Sequence, residues 1–377
     1  MEELFDPERR RLAEEYQGIK DVHIWYRRLI LFVFWFCFFL FAWEVRLYNF
    51  LTARFDNREL IILVYIFMFY LLYSVLKSVI NYFFFYRLDR KYGLSSQDTG
   101  EWLLDGIKGF MLGFIVIYAG GRFFLYTAGR WPDFWWLPFA LAAALFTVLL
   151  TFLFPKVILP LFFTTEEYPE GSLKKRLMAL VDRTGLEVEE IYEINLSSKM
   201  TYGNAAVIGL GRTRKILLGD NLTDKHTEDE IEAILAHELG HHARGDIWRN
   251  MLLQPVNIIL VSYLVSIVRE PLMLLSGYYV PDAVYILPLL FLLWGFFSWL
   301  TSPFIVCFNR RREREADRYA LKKIAEPSSF ASALAGLADA GLAKLEYNLY
   351  ELLFTASHPP IGERVKRALK WGNDSTE

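Results

Sequence analysis

Residues 233–246 read AILAHELGHHARGD. On a helix His237 and His241 are one turn apart, so both imidazoles leave the same face at a spacing that suits one tetrahedral zinc ion. Glu238 sits beside the first of them, where its carboxylate reaches a water at the ion without ligating the metal. That is the position of a general base in metal-assisted hydrolysis. His242 points roughly 100 degrees away and reads as a solvated or packed neighbour. The helix is delimited by the sequence itself: Thr227 and Glu230 form a capping box, and Gly245 stops it, which predicts a helix from about Glu228 to Ala243.

This stretch lies between long apolar runs. The 377-residue chain is 54% hydrophobic and 17% aromatic, well above ordinary soluble usage, which implies a bilayer as solvent. A net charge of −2 gives no basic excess for a nucleic-acid backbone, so no nucleic-acid partner is expected. Cys37 and Cys307 both sit in apolar runs and read as small hydrophobes. A crossing needs about 20 apolar residues. Six stretches qualify: Leu29 to Trp43, extended by Trp25 and Tyr26 on one side and by Leu47 and Tyr48 on the other, then Leu60 to Tyr86, Gly109 to Tyr126, Trp135 to Phe154, Met251 to Val268 and Ala283 to Phe308. The charged residues 1–28 read as an amphipathic segment on the membrane surface. Arg9, Arg10, Arg11, Lys20, Arg27 and Arg28 precede the first span and Arg310, Arg311, Arg312 and Arg314 follow the last, which places both termini, and residues 156–250, on the cytoplasmic side. Lys77, Asn81, Asp105 and Lys108 lie in or beside spans, and read either as lining a wet chamber or as snorkelling to an interface.

Between the fourth and fifth spans the pattern changes. Leu173, Leu177, Leu180 and Val181 recur with a helical period that ends at Gly185. VEEIYEIN alternates like a strand, and residues 204–219 read as a hairpin with strands Asn204 to Leu210 and Lys215 to Gly219. A small α/β unit is implied, giving segments 1–28, 29–163 (four spans), 164–250, 251–308 (two spans) and 309–377.

Two histidines leave a catalytic zinc one protein ligand short. Topology locates the third. Asp246 ends the same helix, while Glu270 and Asp282 belong to the loop across the membrane, and none of these reaches the ion. The first acids back on the catalytic side are Glu313, Glu315 and Asp317. Glu313 and Asp317 are one turn apart and share a face, whereas Glu315 points away. Glu313 is then the ligand, and Asp317 is placed to accept the free N–H of a ligating histidine and fix its tautomer. Further on, TASHPPIGERVKRAL is a proline turn followed by a basic helix. Local sequence leaves His358 open between a loop residue and a donor to an oxyanion, and Arg364 open between a basic-helix residue and a clamp for a carbonyl or carboxylate.

HELGH at 237–241, EREAD at 313–317 and SHPPIGER at 357–364, with NAAVIGLGRTRKILLGDNL at 204–222 and FPKVILPLFF at 154–163, resemble the membrane zinc metalloendopeptidases that include type I CAAX prenyl proteases and, more distantly, the HtpX proteases. DRKYGLSSQDTGEWLLDGIKG at 89–109 is similar to the CAAX branch in particular. The resemblance implies a mostly α-helical multi-pass membrane protein of about six to seven transmembrane helices with a small cytoplasmic α/β, gluzincin-like protease domain. It implies one Zn2+ on His237, His241 and Glu313, with Glu238 as base, and brings His358 and Arg364 into the site. It also implies substrate pairing on an edge strand, here Asn204, Ala205 and Ala206. The expected substrate is a peptide or protein, membrane-associated or lipidated, and the expected location is a prokaryotic cell membrane or the endoplasmic reticulum. Two other readings stand beside it: quality control of membrane proteins by the same chemistry, and a channel or transporter with structural zinc.

Overall fold

The computed structural model describes residues 1–276, 280 and 283–374. Asp282 and residues 375–377, both assigned above, lie outside the described residues. Among the described residues six helices are long and apolar enough to cross a membrane. Helix α1 (Pro7–Leu40) is followed by a short α2 (Trp43–Thr52) and by α3 (Arg58–Asn81), which continues through a π-turn into α4 (Arg87–Lys91). Helix α5 (Thr99–Arg130) starts at a capping box of Asp98 and Glu101. Helix α6 (Trp136–Leu153) passes into α7 (Leu159–Phe162) by a second π-turn that contains Pro155. Proline has no N–H to donate, so the ladder widens there. Tyr65, Phe69, Phe124, Trp135 and Phe297 fill the centre of the membrane half. Arg122 is neutralised by Glu59 at 2.8 Å.

The second half of the fold begins with strand β1 (Thr165–Glu167), helix α8 (Ser172–Thr184), strands β2 (Glu190–Ile194), β3 (Ala205–Ile208) and β4 (Lys215–Gly219), and helix α9 (Glu228–Ala243). The sheet order is β1-β2-β4-β3, with β2 and β4 parallel and the outer pairs antiparallel, so β3 lies at an edge. Leu177 and Leu180 of α8, Ile191, Ile216 and Leu218 of the sheet, and Ile231, Leu235 and Leu239 of α9 form one core. Each such side chain, fully buried, contributes about 1.5–3 kcal/mol. The chain then makes a long excursion through α10 (Asp246–Ser276) and α11 (Leu287–Lys323), closes over α9 with α12 (Pro327–Ala340) and α14 (Ile361–Asp374), and packs α13 (Leu349–Phe354) on α11 through Trp299 and Phe354. Phe330 and Leu334 of α12 and Val365 and Ala368 of α14 join the α9 core.

Three features differ from the sequence-based expectation. Residues 7–28 form one unbroken helix with the first span, and their charged half rests on the end of α12. Asp6 N–H donates to Asp339 at 2.8 Å, Arg10 pairs with the same carboxylate, and Gln17 donates to the Leu342 carbonyl at 2.6 Å. Likewise α11 runs straight through residues 308–309, expected as a boundary. Strand β1 had no alternation to announce it.

Candidate metal centre and active site

Helices α9 and α11 make the site by crossing at close range. A Cβ on Gly240 would meet Tyr319 at 3.2 Å and the Ala316 carbonyl at 3.3 Å, so glycine at this position sets the approach. Across the seam, Glu313 Oε2 lies 3.2 Å from His237 Nε2, and its Oε1 lies 3.4 Å from His241 Nε2. One ligand atom from each of the three residues falls within 4.8 Å of the others, and Glu313 Oε2 is buried with no hydrogen-bond partner. Two imidazole nitrogens and an orphaned carboxylate oxygen, all converging, fit a divalent cation with a position left for water or substrate.

The far sides of both rings are held as well. His237 Nδ1 donates to Asp317 Oδ1 at 2.9 Å, and His241 Nδ1 donates to Asp246 Oδ2 at 2.8 Å. Such bonds fix the tautomer that leaves Nε2 free for a metal. Asp246 is the residue that sequence reasoning missed, having weighed it only as a ligand and set it aside. Gly245 at φ 71 turns the chain back at the end of α9, so the first residue of α10 comes under His241 instead of continuing away from it. Arg312 and Arg249 each lie 3.2 Å from the second Asp246 oxygen.

Arg364 enters the cluster from α14. It is 9% exposed, and its fork donates to both oxygens of Asp317, at 2.9 and 2.7 Å. It braces the carboxylate behind His237, because a buried carboxylate needs a compensating charge. His358 is carried by the loop before α14. Its Nδ1 is engaged by Ser357 Oγ at 2.9 Å, and its Nε2 lies 3.4 Å from Glu313 Oε1, which puts it at the rim of the cluster. Burial pushes the Glu238 carboxyl above its ordinary range. Glu315 points away from the cluster and pairs with Arg244, and with Arg311 at 3.5 Å.

Asn204 is exposed at the start of β3, and Ala205 and Ala206 follow it in the strand. Beside the far end of β3 a cavity of about 1010 Å³ is lined by Val207 and Leu210, by Thr147 and Phe152 of α6, and by Met251 and Gln254 of α10. Of the polar residues near spans, Asp105 accepts from Gln97 at 2.6 Å and pairs with Lys199, and Lys108 donates to the Leu161 carbonyl at 2.9 Å. Asp105 thus ties α5 to the loop before β3 in the protease half, and Lys108 ties it to α7.

Six apolar helices joined to a sheet domain whose helix α9 carries HExxH, completed by a glutamate returning from the membrane, define a multi-pass membrane metalloendopeptidase. Residues 167–372 match the sequence model of Peptidase family M48, and residues 1–164 match that of the CAAX prenyl protease N-terminal region, five membrane helices. The chain belongs to Peptidase family M48. It is 28% identical over 308 residues to the uncharacterized metalloprotease YhfN of Bacillus subtilis, covering 76% of this chain and 68% of that protein. It is 27% identical over 305 residues to CAAX prenyl protease 1 of Saccharomyces cerevisiae, covering 76% and 67%. The crystal structure of S. mikatae Ste24p superimposes with a TM-score of 0.84 at 21% identity, covering 97% of this chain and 89% of that one, a likeness of fold.

Proposed function

We propose that the chain is a zinc endopeptidase that cleaves extended, membrane-associated peptides on the cytoplasmic side, with a prenylated C-terminal segment as the preferred substrate. The observation that carries this reading is the convergence of His237, His241 and Glu313 under two positioning aspartates. That donor set suits zinc, with three protein ligands and an open fourth position. When bound, the ion supplies Lewis-acid polarisation of the scissile carbonyl. The chain's own groups do the rest. Glu238 takes a proton from the attacking water and delivers it to the leaving amine. His358 steadies the oxygen of the tetrahedral intermediate from the rim. An extended substrate adds to the β3 edge at Asn204, Ala205 and Ala206, and the cavity between α6, α10 and Val207 gives room for an apolar group attached to it. The arginine-rich flanks of the first and last spans support the cytoplasmic orientation.

The test uses purified full-length protein. Glu238→Gln is expected to retain one zinc per chain while turnover falls at least a thousandfold, and a variant that still cleaves would overturn the assignment of the base. A farnesylated CAAX peptide is expected to be cut faster than the same peptide without lipid. Equal rates would favour unselective cleavage of membrane proteins.

A further inference from the structure

The β3 edge offers a guest strand fewer hydrogen bonds than its length suggests. Gly219 N–H donates to the Asn204 carbonyl at 2.9 Å, and the register continues as Ala206↔Leu217 and Ile208↔Lys215. By the alternation of an antiparallel ladder, Asn204, Ala206 and Ile208 turn their backbone groups to β4, while Ala205 and Val207 turn theirs outward. Two side chains already engage this outward row. Asn204, exposed, accepts the Ala205 N–H on its own Oδ1 at 3.0 Å, a local bond that an incoming strand can displace. At the other end, His242 Nε2 lies 2.9 Å from the Val207 carbonyl.

The second engagement is built to last. His242 is 8% exposed, and its Nδ1 accepts from Arg214 Nε at 3.2 Å. A guanidinium only donates, so Nδ1 is the acceptor and the ring hydrogen sits on Nε2, aimed at Val207. Arg214 is itself anchored, donating to the Gly211 carbonyl at 3.0 Å. His242 directly follows His241, so the helix that carries the metal ligands also grips the edge strand.

We propose that His242 is a positioning residue that ends strand addition at Val207. An antiparallel guest pairs one of its residues fully with Ala205. The guest residue two positions nearer its own N-terminus accepts from the Val207 N–H, but its amide finds the Val207 carbonyl already taken. The guest is thus held over a short window, which fixes the register in which the scissile bond meets the metal and leaves the chain beyond Val207 free to turn into the adjoining cavity. This inference rests on the strand-addition reading of the site.

The experiment is a backbone N-methyl scan of the casein-derived peptide that the zinc-loaded full-length enzyme cuts fastest, comparing wild type, His242→Phe and His242→Gln. Methylating the amide that pairs with Ala205 is expected to lower kcat/KM about three- to tenfold in all three, mainly through KM. Methylating the amide two residues toward the N-terminus is expected to change wild type less than twofold. In His242→Phe, where the Val207 carbonyl is released, the same methyl becomes three- to tenfold costly. His242→Gln, which keeps a donor, behaves as wild type. A second sensitive amide already present in wild type overturns the proposal, as does its absence in His242→Phe. If no amide is sensitive although the peptide is cut, strand addition itself fails and the proposal with it. If no peptide is cut at all, the peptidase reading fails first.

Discussion

Asp317 and Asp246 do the same thing to two histidines from different directions: each accepts an Nδ1–H and so presents Nε2 to the ion. They differ in their own support, since Asp317 is gripped by Arg364 and Asp246 by Arg312 and Arg249. Asp246→Asn keeps an acceptor but loses the charge that makes the imidazole a strong ligand. Zinc affinity is expected to fall by 10–100-fold, measured by competition with a chromogenic chelator. Glu315→Gln, whose carboxylate faces Arg244, is expected to leave it unchanged. A metal affinity for Asp246→Asn equal to wild type would reduce that residue to a helix-terminus cap.

At the scale of elements, the site depends on how near α11 comes to α9. Gly240→Ala gains about 1 kcal/mol of helix preference, yet its Cβ pushes against the Ala316 carbonyl, which is backbone and cannot swing aside. Metal affinity is expected to drop about tenfold with helix content by circular dichroism unchanged; an unaltered affinity would mean the seam yields. The same elements mark how far the sequence was readable. Helix α9 was legible to the residue, because its capping box and Gly245 are local signals. Strand β4 was legible for the same reason, while β3 came out shorter than its apolar run. The placement of Glu313 beside the two histidines was legible from topology, since the chain must cross and return before its next acids on that side. The relation of Asp246 to His241 was not legible, because it depends on a single left-handed residue reversing the chain. Nor was the burial of Arg364, which depends on α14 packing beside α12, a contact between segments with no shared pattern. Nothing in residues 1–28 announced α12 as their partner.

For the whole molecule, α1 joins the two halves. It runs from the membrane core to the C-terminal helices, where Asp339 receives the Asp6 amide and the Arg10 guanidinium, and Arg9 Nε donates to the Asp339 carbonyl at 3.0 Å. Asp339 is 8% exposed, and Asp339→Ala leaves the part-buried Asp6 amide and Arg10 guanidinium unanswered, which is expected to cost about 1 kcal/mol. The unfolding midpoint, followed by intrinsic fluorescence in detergent, should fall by several degrees, with zinc content at the starting temperature unchanged. A midpoint equal to wild type would show that α1 is held by its apolar contacts alone.

Helix α11 is continuous from Leu287 to Lys323, a rod of about 55 Å with one end among acyl chains and Glu313 near the other. A rod of that kind converts any tilt imposed by a thinner or thicker bilayer into a sideways displacement of the carboxylate at its tip. Acyl-chain length is thereby expected to act on the coordination geometry, through the mechanics of the lipid as well as its chemistry.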